Sequence, residues 1–274
     1  MTAKTLNASQ MEEMVATFER VRRYYPMPFS VFASELLYEL SSPNPNWTRI
    51  FLIQIDCFES CIAFFFFVLL AEAEQHPEIN IKASANLIQT LYKGSKLSTG
   101  HWWALLRDLS KDVHANKDLD LSDASRIALN LFYPDKQQLP AKFHRFKDLL
   151  NEVPTIRNRV KGHSFTLPPE QYASHAIALL KISTMFFSVV EKIDDCTIFY
   201  VSQCVGTMDD VFQNDILILN GDMRRPLRKT LLSDHSISVG SLWICLEGDL
   251  NQSIVVDRCR LLSPFVQYYP NNNL

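Results

Sequence analysis

MFFSVVEKIDDCTIFYVSQCV, residues 185–205, contains the change of hydrophobic period on which the fold depends. Up to Ile193 the apolar positions keep helical spacing: Tyr172, Ile177, Leu180, Ile182, Met185, Phe186, Val189 and Val190 mark one long helix from Glu170 to Ile193. Beyond Asp195 the period becomes two. CTIFYVSQCV (196–205), DILILN (215–220), ISVGSLWICLE (237–247) and SIVVDRCRLL (253–262) read as strands. Asn220-Gly221 and Glu247-Gly248-Asp249 are the turn signals between them. The fold class is therefore predicted as mainly α: an antiparallel helical bundle over residues 1–193, followed by a small β-rich C-terminal domain over residues 194–274.

Upstream of this boundary helical patterns dominate, separated by loops and by the polar stretch HPEINIKASANLIQTLYKGSKL (76–97). Glycine is scarce, at seven in the chain, and long stretches of residues 7–193 lack both glycine and proline. Asn7 to Tyr25 is amphipathic and stops at PMPF, where two prolines end it. Phe29 to Leu40 follows and ends in the loop SSPNPNW; Trp47 to Gln75 is the most apolar helix. Ser98 or Thr99 can cap a helix through Trp102, Leu105, Leu106 and Leu109. Asp118 to Tyr133 is a further short helix. Ala141 to Lys161 carries Phe143, Phe146, Leu149, Leu150, Val153, Ile156 and Val160 at helical spacing, with Pro154 as a kink or split and Gly162 as the stop.

CIAFFFFVLLA (61–71) invites comparison with a membrane span, but the uncharged run Ser60–Ala71 is 12 residues long. Roughly 18 to 20 are needed to cross hydrocarbon. Asp56 and Glu59 would enter the lipid if the window were extended. A core helix buried nearly all round is expected instead, with no membrane partner. The N-terminal MTAKTLNASQMEEMV carries acids where a secretion signal needs an apolar run, and the cysteines at 57, 61, 196, 204, 245 and 259 form no CxxC pair. They read as buried thiols of a reducing compartment, so a cytoplasmic protein with no metal site and no cofactor is expected.

A net charge of −3 gives no long-range attraction to nucleic acid, so any such binding must be local. Two segments are locally basic. Residues 141–163 hold Lys142, Arg145, Lys147, Arg157, Arg159 and Lys161 against Asp148 and Glu152; MRRPLRK occupies 223–229. Either can also be a solvated face. The first contains PTIRNRVKGHSF (154–165), with Arg157, Asn158 and His163. Six helical steps leave Arg157 and His163 about 120° apart, so a continuous helix would not join them. A helix ending at Gly162 lets His163 fold back toward the guanidinium. A planar, always charged fork beside an imidazole suits a phosphodiester.

An arginine, a polar neighbour and a histidine a few positions later, at a helix end within a bundle, resemble the signature of the HEPN superfamily (higher eukaryotes and prokaryotes nucleotide-binding). Phe58-Glu59 and Gly100-His101-Trp102 are similar to segments of bacterial HEPN-type proteins with a small C-terminal β-module. The resemblance covers about residues 30–193 as a fold. It implies a metal-independent endoribonuclease, toxin-like or defensive in setting, acting as a homodimer with both motifs facing one RNA strand. In that reading His163 moves protons, Arg157 stabilises the pentacovalent phosphate, and Asn158 positions them. Arg159, Lys161 and Arg145 would bind RNA. Some members are instead inactive sensors or adaptors that bind a nucleotide or a regulatory protein partner.

A purely structural reading stands beside this one. Arg157 can cap its own helix end, Asn158 can bond a loop, and His163 can be a turn residue. Glu59 can orient Arg157 or make a simple ion pair. His101, His144 and His175 have no partner identifiable by spacing. The chain lacks a Walker glycine loop, GxGxxG, HExxH and GxSxG, which argues against nucleotide hydrolysis, dehydrogenase, metalloprotease and ordinary hydrolase chemistry.

Overall fold

The computed structural model describes residues 7–79, 97–116, 119–134, 148, 150–161, 168–207, 210–221, 226–245, 250, 253–254 and 259–262. Its helices are α1 (Ala8–Tyr24), α2 (Met27–Leu40), α3 (Trp47–Ala73), α4 (Thr99–His114), α5 (Asp123–Asn130), α6 (Glu152–Lys161) and α7 (Pro169–Val189). A 3-10 segment, Glu191–Asp195, leads into β1 (Thr197–Gly206), β2 (Phe212–Ile218), β3 (Leu227–Ser233), β4 (Leu242–Cys245), β5 (Ser253–Ile254) and β6 (Cys259–Leu261). Helices thus come first and a small, largely antiparallel sheet follows.

Helix starts are written in the side chains. Asn7 accepts from the Gln10 amide at 2.8 Å while its own amide donates to Gln10 Oε1 at 3.3 Å, a reciprocal cap on α1. Asn46 caps α3 through the Arg49 amide at 3.1 Å. Ser98, rather than Thr99, caps α4: its Oγ accepts from the His101 amide, and its amide donates to His101 Nδ1 at 3.2 Å. His101 is therefore a capping residue. Asp118 to Tyr133 proves shorter as a helix, because Ser122 accepts from the Ser125 amide and starts α5 only at Asp123.

The first three helices and α7 share a core built on α3, which packs against α2, α4, α5 and α7. Phe29 of α2 meets Phe64 of α3 edge-on at 4.9 Å and Phe187 of α7 at 6.3 Å; Phe186 of α7 meets Phe58 at 5.7 Å. Each fully buried phenyl ring contributes roughly 1.5–3 kcal/mol by leaving water. By length and composition α3 and Glu170–Val189 could each cross a membrane, and 72% of the α3 window and 44% of the other are buried inside the protein. In α3, aromatic density thus serves the interior of the fold. Two buried polar residues fix its neighbours. Gln54 donates to Ala176 O at 3.1 Å and accepts from Ser183 Oγ at 3.1 Å, joining α7. Glu72, fully buried, accepts from Ser125 Oγ at 2.8 Å and from the amide and hydroxyl of Ser122, holding the start of α5.

Strand order in the sheet is β5-β3-β2-β1-β4-β6, with only the β3–β5 pair parallel. One face, carrying Ile198, Leu217, Leu219, Leu242 and Ile244, joins the helical core. The other, with Phe199, Val201, Ile216, Leu231 and Ile254, forms a second core. A bulge between Val201 and Gln203 breaks the alternation of β1. The α1–α2 corner clasps the end of β2: the Gly221 amide donates to Tyr25 O and the Met27 amide to Leu219 O, both at 2.8 Å. Asn220 seals the same joint by donating to Cys196 O at 2.7 Å and accepting from the Ile198 amide at 2.9 Å.

Three details differ from the sequence reading. LRKTLLS in β3 is a strand that the period-two pattern did not mark; its Arg228 and Thr230 are exposed, as on a solvated face, while Leu231 and Ser233 are buried. ISVGSLWICLE is a strand only from Leu242, because Gly240 adopts φ +81° and turns the chain. The run Glu170 to Ile193 ends as an α-helix at Val189 and finishes in the 3-10 segment.

Candidate functional site

Helix α6 carries the motif. Asn151 interrupts the helical path, α6 restarts at Glu152, and Pro154 thus sits in its first turn, where a missing amide hydrogen breaks no intrahelical bond. Val153, Ile156 and Val160, three and four residues apart, enter the helical core with Leu150. Trp103 of α4 donates from Nε1 to Asn151 Oδ1 at 3.1 Å, which anchors the entry to α6. Thr155 and Asn158 are exposed, and Arg157 lies half-buried between the Ile156 and Asn158 sides.

Arg157 donates from Nη1 to Asn158 Oδ1 at 3.1 Å. Neighbouring helical side chains diverge by about 100°, so this contact depends on the length of the arginine. Its Nε is buried without a hydrogen-bond partner among the described residues. The charge environment separates Arg157 from most other arginines whose side chains the structure describes. Arg20, Arg22, Arg23, Arg49, Arg107 and Arg126 each meet an acid within salt-bridge distance. Among the described residues Arg157 meets a neutral amide and no acid, so no described carboxylate neutralises its charge.

The residues expected to complete the site are placed unequally. His163 and Arg145 lie outside the described residues, as does His144. Arg159 and Lys161 belong to α6 by backbone, and their side chains lie outside the described set. Glu59 accepts a hydrogen bond from the buried Thr99 hydroxyl at the start of α4, a structural tie between α3 and α4. His175 faces the Phe51 ring at 6.5 Å. Sequence reasoning missed the Trp103–Asn151 anchor, for which no local pattern gives a signal.

No family model, no curated protein and no solved structure matches the chain. Chemistry therefore has to be read from the site itself. A guanidinium held on a helix, with no acid partner among the described residues, can bind a phosphate or carboxylate; by itself it moves no proton. Among the described residues no group of three or more His, Cys, Asp or Glu side chains gathers as a metal site.

Proposed function

We propose that the chain is a metal-independent endoribonuclease of the HEPN type. The observation that carries this reading is the Arg157–Asn158 pair, a charged fork held by an amide with no carboxylate partner among the described residues. Such a fork suits the phosphoryl oxygens of an RNA backbone, whose charge rises as a pentacovalent phosphate forms. His163 follows the end of α6 in sequence and supplies an imidazole able to exchange protons near neutral pH.

In the reaction the 2'-hydroxyl loses its proton to a base and attacks the adjacent phosphorus. The bond from phosphorus to the 5'-oxygen then breaks, and that oxygen takes up a proton. The products are a 2',3'-cyclic phosphate and a 5'-hydroxyl, with no oxidant or metal in the balance. His163 serves one or both proton transfers, Arg157 stabilises the phosphorane oxygens, and Asn158 keeps the guanidinium in register. Arg159, Lys161 and Arg145 contribute charge along the strand. A homodimer brings two motifs to one RNA across a two-fold axis, in the cytoplasm.

The test is incubation of purified protein with mixed RNA in excess EDTA. Cleavage that survives chelation and disappears in both Arg157→Ala and His163→Ala is the expected result. Intact RNA with wild-type protein, alongside measurable binding, would replace the nuclease with a sensor or adaptor.

A further inference from the structure

The helix-side face of the sheet extends beyond its contact with the bundle and opens as a cavity of about 600 Å³. Tyr200, Leu217 and Arg228 are paired in register across β1, β2 and β3, and Gln203, Asp215 and Thr230 form the next row. Residues two apart on a strand share a face, so Leu217 with Asp215, and Arg228 with Thr230, look the same way. Without the bulge at Ser202, Gln203 would point to the opposite face; the inserted residue brings it beside Asp215. Ser202 secures this arrangement by donating to Asp215 O at 2.8 Å.

Cation and carboxylate coexist on this face without pairing. Arg228 is exposed and makes no ion pair or hydrogen bond among the described residues. Asp215 is half-buried and accepts from Thr230 Oγ1 through Oδ1 at 2.7 Å, which leaves Oδ2 available as an acceptor. Diagonal positions on antiparallel strands lie about 7–8 Å apart, within reach of a long side chain, yet Arg228 and Asp215 form no ion pair. That separation suits a ligand with an anionic end and a hydroxylated end. Arg228 offers a bidentate fork to the anion, while Asp215 and Gln203 accept from or donate to hydroxyls. The half-buried Tyr200 ring and Leu217 supply an apolar wall for the carbon skeleton. The volume falls in the range of small-molecule sites, roughly 300–1,000 Å³.

We propose that this groove binds a phosphorylated sugar, with the phosphate on Arg228 and the ring hydroxyls on Asp215 and Gln203. The groove is lined by β1, β2 and β3 and takes no residue from α6, so it does not depend on the ribonuclease reading.

Isothermal titration of the full chain with ribose 5-phosphate, ribose and inorganic phosphate tests it. Saturable binding of ribose 5-phosphate, at least about tenfold tighter than either fragment, is expected, a difference of roughly 1.4 kcal/mol. Arg228→Gln should weaken ribose 5-phosphate about tenfold or more. Asp215→Asn should erase the preference for ribose 5-phosphate over phosphate, with circular dichroism confirming that both variants fold. Absence of saturable binding would overturn the proposal. So would phosphate binding as tight as ribose 5-phosphate, which marks a bare anion contact, or wild-type affinity in folded Arg228→Gln.

Discussion

Arg157 is tied to Asn158 by a 3.1 Å hydrogen bond, an arginine steadied by an amide where most other described arginines are steadied by acids. Replacing that amide with a carboxylate should therefore change the site without disturbing the fold, because Asn158 is exposed. Asn158→Asp is expected to weaken RNA binding by about tenfold and to reduce the slope of log affinity against log salt by nearly one, through neutralising one cation. Fluorescence anisotropy across a salt series reads both. Unchanged affinity and slope would mean that Arg157 does not meet phosphate.

Gly221 occupies the joint between the α1–α2 corner and β2. Its φ is +72°, and a Cβ there would stand 2.7 Å from Arg23 O, so glycine is required twice over, by backbone conformation and by space. Gly221→Ala should lower stability by about 1–3 kcal/mol, seen as a lower denaturation midpoint. Gly240, at φ +81° with open space around it, should cost less when replaced by alanine.

The Glu72 carboxylate holds Ser122 and Ser125 at the start of α5 from a fully buried position. Glu72→Ala leaves those donors without their acceptor and opens a void, at a cost of about 2–4 kcal/mol. Glu72→Gln, which retains one acceptor oxygen, should recover part of the loss. Chemical denaturation of the three proteins measures the ordering, and equal stability of Ala and Gln variants would assign the effect to volume alone.

Thiol chemistry should divide the cysteines. Cys57, Cys61, Cys196, Cys245 and Cys259 are buried, whereas Cys204 is half-buried beside Ser236. Burial pushes the Cys61 thiol well above its ordinary range, and burial also raises Cys196, with Asp195 adding to the effect. Since the folded state holds these protons more tightly than the unfolded chain, their stabilisation is complete below the ordinary thiol value of about 8.5 and declines as pH rises above it. Native protein at neutral pH should alkylate first at Cys204, as mass spectrometry of labelled peptides will report. Faster labelling of Cys61 or Cys196 would contradict their burial.

The change from helices to strands was legible because period 3.6 and period two leave different marks, and residues 185–205 contain both. The apolar excess of α3 was only partly legible, because its length and composition also suit a span; the burial of 72% of its apolar window comes from packing against neighbouring helices. β3 was missed for a physical reason: as the register places Arg228 and Thr230 outward, its surface residues resemble a solvated basic run, and Leu231 and Ser233 alone carry the inward signal. At the site, sequence identified Arg157 and Asn158 as neighbours but could not reveal that Arg157 meets no acid among the described residues. Charge pairing such as Arg20 with Glu191 and Asp194 spans distant parts of the chain and exists only once α1 meets the 3-10 segment. The groove at Tyr200 and Arg228 required the pairing of three strands and one bulge, none of which a linear pattern encodes.

A labelled RNA oligonucleotide is incubated with wild-type protein in excess EDTA, beside the same strand carrying a single 2'-deoxynucleotide on the 5' side of the cleaved bond, and the product ends are determined by mass. A 2',3'-cyclic phosphate from the RNA, protection of the substituted bond, and a rate at least about a hundredfold lower in His163→Ala are expected. Cleavage of the 2'-deoxy bond at the same rate, or an undiminished rate in His163→Ala, would contradict this mechanism.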